Sequence, residues 1–215
     1  MDHPIVPKTI SNEVLDFCSS ISQSDPFFVD VAVEPNSKQL FCFPNVEEKI
    51  KQSGGECITG WQIWIMPWIF IEAEFHGIWK SPENEFIDIT PKQNNEKSIL
   101  FLPDPRKKYK GKQVNNIRKP LTNNGLIAHY FLTYDALFAI KNYGEREYQF
   151  EIKLVGEEAE IFDWICRWQY SLRRMIVEGL SKSSICPCNS GKRYKRCCGE
   201  SFENGINELK KRYDF

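Results

Sequence analysis

Four cysteines near the C-terminus, Cys186, Cys188, Cys197 and Cys198, constrain this chain more than any other feature. The segment 186–199 reads Cys-Pro-Cys-Asn-Ser-Gly-Lys-Arg-Tyr-Lys-Arg-Cys-Cys-Gly. Two thiolates one residue apart, an eight-residue gap holding a glycine, and two adjacent thiolates can close into a tetrahedral S4 shell. Zinc prefers that donor set and geometry. The alternative is a pair of disulfides, which needs an oxidising compartment and strained bridges between near neighbours. A segment this short cannot bury enough apolar surface to fold alone, so a bound metal would supply its folding energy.

The same residues resemble the SEC-C motif, a small zinc knuckle at the tail of the preprotein-translocase ATPase and of other bacterial proteins. The resemblance spans residues 184–202, and the pattern Cys-Pro-Cys-Gly/Asn-Ser-Gly-x-x-Tyr-x-x-Cys-Cys/His-Gly is met at every position. It implies that Cys186, Cys188, Cys197 and Cys198 ligate one zinc and that Tyr194 packs against the knuckle. In the translocase relatives the equivalent face meets an acidic chaperone or the ribosome. The resemblance therefore implies a protein or ribonucleoprotein partner for Lys192, Arg193, Lys195 and Arg196.

Length and composition, 215 residues with 41% hydrophobic content, provide for one sizeable core. The expected architecture is α+β: an antiparallel sheet with packed helices over residues 1–180, then a zinc-binding tail over 184–215. A formal net charge of −1 argues against wholesale nucleic-acid binding. Charge is uneven, however, with seven basic residues and no acid over 106–119. That run, with Tyr109 as a stacking surface, offers a nucleic-acid contact. No window reaches the apolar length of a membrane span, and eight cysteines, four in a zinc pattern, suit a reducing cytoplasm.

Periodicity places helices over 11–22, from Pro44 to Ser53, over 133–143 and over 157–180, with a short basic helix over 204–213. Strands are expected at 27–33, 61–65, 69–79, 85–90, 98–102 and 148–154, with those after Gly60 forming an antiparallel meander. Residues 103–125 read as a long surface loop.

Cys42, just before the second helix, would feel the positive end of its dipole. If Trp79 pairs with Glu85, His76 falls directly opposite Asp88, close enough for the carboxylate to orient the imidazole. Cysteine at a helix start, histidine on a strand and aspartate on the next follow the order of papain-like and transglutaminase-like enzymes. Residues 38–91 resemble those domains in order and spacing. That resemblance implies Cys42 as nucleophile, His76 as base and Asp88 as orienting acid in thiol acyl transfer or hydrolysis. On the competing reading Cys42 packs a helix start, and the chain is an inactive adaptor.

Cys57 is a rival nucleophile without a helix dipole, whereas Cys18 and Cys166 fall on apolar helix faces. His129, in the apolar run 126–132, reads as a satisfied core histidine. Trp61, Trp64, Trp68 and Trp79 read as core on alternating strand positions. Glu72 and Glu74 share a face with His76, which makes a second metal site conceivable.

Overall fold

A computed structural model describes residues 3–215 and divides the chain into two units, Met1–Leu121 and Thr122–Phe215. The long helix expected at 157–180 belongs to the same unit as the cysteine segment.

The first unit contains helices α1 (Asn12–Ser19) and α2 (Cys42–Ser53) and strands β1 (Phe27–Val31), β2 (Glu56–Met66), β3 (Phe70–Lys80), β4 (Phe86–Asp88), β5 (Ser98–Pro103) and β6 (Ile117–Pro120). The strands run in the order β2-β5-β1-β4-β3, and β2 pairs again with β3, which closes a five-stranded barrel. The β2–β3 hairpin pairs antiparallel from Glu56↔Lys80 to Met66↔Phe70. The expected meander is corrected here. β1 enters between β4 and β5, parallel to β4 through Asp30↔Ile87 and antiparallel to β5 through Phe27↔Phe101. Closure leaves β2 and β3 without free edges along the barrel, which an open meander would not achieve.

Alternation then sorts the side chains. Val29, Ile78, Ile99 and Phe101, with Phe27, Val31 and Ile58 beside them, converge from four strands to fill the barrel interior. The opposite faces of β2, β3 and β5 present Trp61, Ile63, Ile71, Ala73, Phe75, Leu100 and Leu102 to α1 and α2. Gly60 sits where a Cβ would run into Leu102 O and come within 2.6 Å of the Phe101 ring, so the β2–β5 contact demands a glycine.

Of residues 103–125, read as a long surface loop, 103–121 are strapped to this unit instead. β6 pairs with β3 from Phe70↔Pro120 to Ala73↔Ile117, its proline standing on an edge strand where no ladder donor is lost. Tyr109 stacks on Phe43 at 3.9 Å between ring centroids, and Thr59 Oγ1 donates to Lys107 O at 2.8 Å. The sequence signal was masked because the few apolar residues of this strap are dispersed among lysines and asparagines.

The second unit holds α3 (Leu126–Lys141), α4 (Glu157–Val177) and α5 (Cys198–Tyr213), with α3 packed on both α4 and α5. The strand expected at 148–154 does not form. Gly144–Tyr148 is a 3-10 turn held by Arg146, whose guanidinium makes paired bonds of 2.8 and 2.9 Å to Glu158 and a third to Ile140 O. α4 ends on Gly179 (φ 72°), with Leu180 N–H donating to Met175 O and Gly179 N–H to Ile176 O, the Schellman arrangement. Among the described residues no helix is long and apolar enough to cross a membrane.

Candidate metal centre

The chain leaves α4 and folds into a tight hairpin. Tyr194 N–H donates to Ser184 O at 2.9 Å and Cys186 N–H to Lys192 O at 2.8 Å. Asn189 (φ 61°) and Gly191 (φ 73°) take left-handed conformations that turn the chain back. A single 3-10 turn over Tyr194–Arg196 follows, and Cys198 opens α5. The result gathers one sulfur from each of Cys186, Cys188, Cys197 and Cys198 into a cluster whose atoms all lie within 4.8 Å of one another.

A tetrahedral ion with Zn–S bonds of about 2.3 Å needs sulfurs roughly 3.8 Å apart, so the cluster could hold a metal ion with small adjustments. All eight cysteines are free thiols. Without a cation the four compete for negative charge. Hydrogen bonds from Ser190 first, and then Cys186, bring Cys188 down to about 6. Burial first, and then hydrogen bonds with Cys186 and Cys188, push Cys198 upward.

Behind the cluster, Tyr194 is 1% exposed. Its hydroxyl shares a 3.0 Å hydrogen bond with His129 Nδ1, while His129 Nε2 lies 2.8 Å from Glu203 Oε1 and 2.6 Å from Lys182 Nζ. Burial and then the Lys182 charge hold the His129 pKa below its ordinary value, so the ring stays neutral near pH 7. The sequence reading of His129 as a satisfied core histidine missed what it satisfies: it ties α3 to the knuckle tyrosine. Gly199 is equally specific, since a Cβ there would sit 2.7 Å from the Tyr194 ring.

The residues proposed from sequence for acyl transfer are distributed differently. β3 and β4 pair through Trp79↔Ile87 and Lys80↔Phe86, two residues from the expected register. A slip of two preserves the facing side, and His76 Nε2 lies 3.0 Å from Asp88 Oδ2. Lys92, invisible to strand periodicity, joins them. Its ammonium lies 2.5 Å from Asp88 Oδ2, 3.2 Å from His76 Nε2 and 3.0 Å from Gln62 Oε1. Burial and then Lys92 oppose charge on His76, but the charges of Asp88 and Cys42 and the hydrogen bond to Asp88 raise it to about 9. Asp88, although burial opposes its ionisation, is lowered to about 2 by His76 and Lys92. Residues 76 and 78 have the same parity on β3, so this pair projects into the barrel with Ile78.

Cys42 packs instead with Phe43, Ala73 and Phe75, the opposite parity of β3. The structure therefore brings His76 and Asp88 together and places Cys42 across the sheet from them. The papain-like and transglutaminase-like order is present in the chain, but closure of the barrel turns its histidine inward. Burial, followed by Cys42, pushes Cys57 to about 11, and burial pushes Cys18 to about 11. Both thiols thus stay protonated at neutral pH.

The other candidates resolve into internal contacts. Glu72 accepts from Arg118 Nε at 3.0 Å and from Asn116 at 3.2 Å, and Glu74 accepts from Trp64 Nε1 at 2.8 Å; among the described residues they form no cluster with His76 that could hold a metal. Trp61 and Trp79 are buried and donate to Asp104 and Gly54 O. Trp68 breaks the expected core pattern, being 87% exposed at the β2–β3 turn. Tyr109, proposed as a stacking face for nucleic acid, already spends one face on Phe43.

Among protein families, the model of the SEC-C motif matches residues 183–200. No curated protein and no solved structure matches the chain.

Proposed function

We propose that this chain is a zinc-binding accessory protein whose SEC-C tail docks on an acidic protein or a ribonucleoprotein in the cytoplasm. The observation that carries the reading is the four-sulfur cluster within 4.8 Å, lying in the segment that matches the motif. Four thiolates fill the coordination shell of Zn2+ and leave no open position, so the ion would be structural rather than catalytic. They also leave the centre with a net charge of −2, offset by the exposed Lys192, Arg193, Lys195 and Arg196 around it. Arg193 is anchored by donating to Ser183 O at 2.5 Å; the other three are free to reach a partner. The barrel unit is read as a scaffold, with His76 committed to Asp88 and Lys92 inside it.

Two measurements test this. Elemental analysis of the purified protein should return one zinc per chain, lost in Cys197→Ser. Replacing Lys192, Arg193, Lys195 and Arg196 by glutamine should preserve zinc yet abolish co-sedimentation with ribosomes or capture of acidic proteins. Full retention of every partner by that variant would refute docking through this face.

A further inference from the structure

The chain holds 28 Lys/Arg and 29 Asp/Glu, yet residues 106–119 of the barrel unit's strap carry seven of the bases and none of the acids. The anchors of this strap sort its side chains. Tyr109 stacks on Phe43, Val114 and Leu121 pack against the core cluster, Lys107 O accepts from Thr59 Oγ1, and β6 joins the sheet. Burying those groups leaves Arg106, Lys107, Lys108, Lys110, Lys112 and Lys119 exposed. Arg106 pairs with Asp104 at 3.4 Å, and Arg118 with Glu72 at 3.0 Å. Lys108, Lys110 and Lys119 meet no carboxylate among the described residues. Like charges fixed on one segment repel one another, and a polyanion laid across them would relieve that repulsion.

The strap runs toward an open aromatic face. Lys107 is bonded at Thr59 of β2, and Lys119 pairs with Ile71, which lies opposite Ile65 of β2. Six strand residues separate Thr59 from Ile65, so the cations follow the β2–β3 hairpin for roughly 20 Å. At its turn Leu121 N–H donates to Ile69 O at 2.8 Å, and Ile69 N–H to Met66 O at 3.0 Å. Between them stands Trp68, exposed and held at φ 67°. A left-handed backbone is strained for so bulky a residue, and strain of this kind gathers at functional sites.

We propose that the strap and Trp68 form a second site, for single-stranded RNA, with phosphates on Lys108, Lys110 and Lys119 and a base stacked on the Trp68 indole. A line of cations leading to an aromatic platform is how single strands are held without sequence preference. Acidic protein fits less well, because lysine is depleted from protein–protein interfaces and these three cations are all lysines. A lipid surface fits less well too, since membrane anchoring grows with inserted apolar area and Ile69, beside Trp68, is buried. The choice of RNA rests on the ribonucleoprotein partner proposed above. The site itself uses no residue of the knuckle, so the two fail separately.

The test uses the zinc-loaded full chain and fluorescence anisotropy of a labelled uridine dodecamer over a series of salt concentrations. Replacing Lys108, Lys110 and Lys119 together by glutamine should weaken binding roughly tenfold or more at low salt. It should also flatten the slope of log affinity against log salt by about 2, near 0.7 for each phosphate no longer neutralised. Trp68→Ala should weaken binding about fivefold or more at every salt concentration and leave the slope unchanged, since stacking releases no counterions. All four side chains are exposed, and the two variants report separately, so misfolding of one leaves the other decisive. No binding by the parent, or binding that neither variant alters, would overturn the site. Loss of the dodecamer in the glutamine variant of Lys192, Arg193, Lys195 and Arg196, with the strap variant unaffected, would overturn it in favour of the knuckle. Tighter binding of a thymidine dodecamer would overturn the assignment to RNA. Binding to phosphatidylserine vesicles that Trp68→Ala abolishes, with no binding of the dodecamer, would assign the surface to a membrane instead.

Discussion

Substituting Gly199 by alanine sets two effects of known size against each other. Gly199 lies in the first turn of α5, where alanine is favoured over glycine by roughly 0.5–1 kcal/mol. Opposing this, the new Cβ would stand 2.7 and 2.9 Å from two Tyr194 ring carbons and 2.8 Å from the Tyr194 carbonyl oxygen. The ring is buried and its hydroxyl is bonded to His129, so it cannot swing clear. Relief must come from moving the start of α5, and with it Cys198, away from the other three cysteines. Overpacking of this kind costs about 1–3 kcal/mol. The clash wins, with a net loss of about 1–2 kcal/mol. Because folding of the knuckle and metal binding are one equilibrium, the loss should appear as zinc affinity roughly 5- to 30-fold weaker. Competition with a chromophoric chelator at fixed pH measures it. Gly125→Ala is the control, since its nearest foreign atom would be 3.8 Å away, and it should leave zinc affinity unchanged. If Gly199→Ala binds zinc as tightly as the parent, the close approach of α5 to Tyr194 does not shape the centre and the argument fails.

Three further outcomes follow from the geometry. His129→Leu strands the buried Tyr194 hydroxyl at a cost of about 1–3 kcal/mol; the same chelator assay should show a loss of about tenfold or more, and unchanged affinity would dismiss the tie between α3 and the knuckle. The His76–Asp88 pair predicts a stability window. His76 is raised to about 9, so its contribution is complete below its unfolded pKa near 6.5 and is lost as pH climbs through about 9. Asp88 is lowered to about 2, so its contribution is complete above its unfolded pKa near 3.9 and is lost as pH falls through about 2. The difference in urea midpoint between the parent and His76→Gln should therefore be greatest between about pH 4 and 6.5; a difference that grows from pH 6.5 to 9 would mean a neutral His76. Finally, in zinc-loaded native protein at pH 7, buried Cys18 and half-buried Cys57, both raised to about 11, should resist iodoacetamide, and rapid mapped alkylation of either would contradict the raised pKa.

The parts of this fold legible from sequence were those whose signals are local. The end of α2 at Ser53, where the expected helix also stops, and the cysteine spacing are each set within a few residues. The long hairpin was also readable, because alternation persists along both strands. Barrel closure was not, since β1 pairs with β4 and β5, far along the chain, and β4 contributes only three residues. That single nonlocal fact also decides the fate of Cys42, His76 and Asp88. Their order along the chain is compatible with an active site. Whether a histidine on β3 faces a helix or an interior depends, however, on which face of the sheet the closure turns inward. The His76–Asp88 contact survived a register error of two residues because parity was kept, whereas no local signal in the sequence announced the i+4 partner Lys92. The cysteine cluster shows the same division: its four members follow from spacing, but His129, Glu203 and Lys182 behind Tyr194 come from elements dozens of residues apart. The knuckle is a local motif, and the surface it presents is made by the helices on which this chain mounts it.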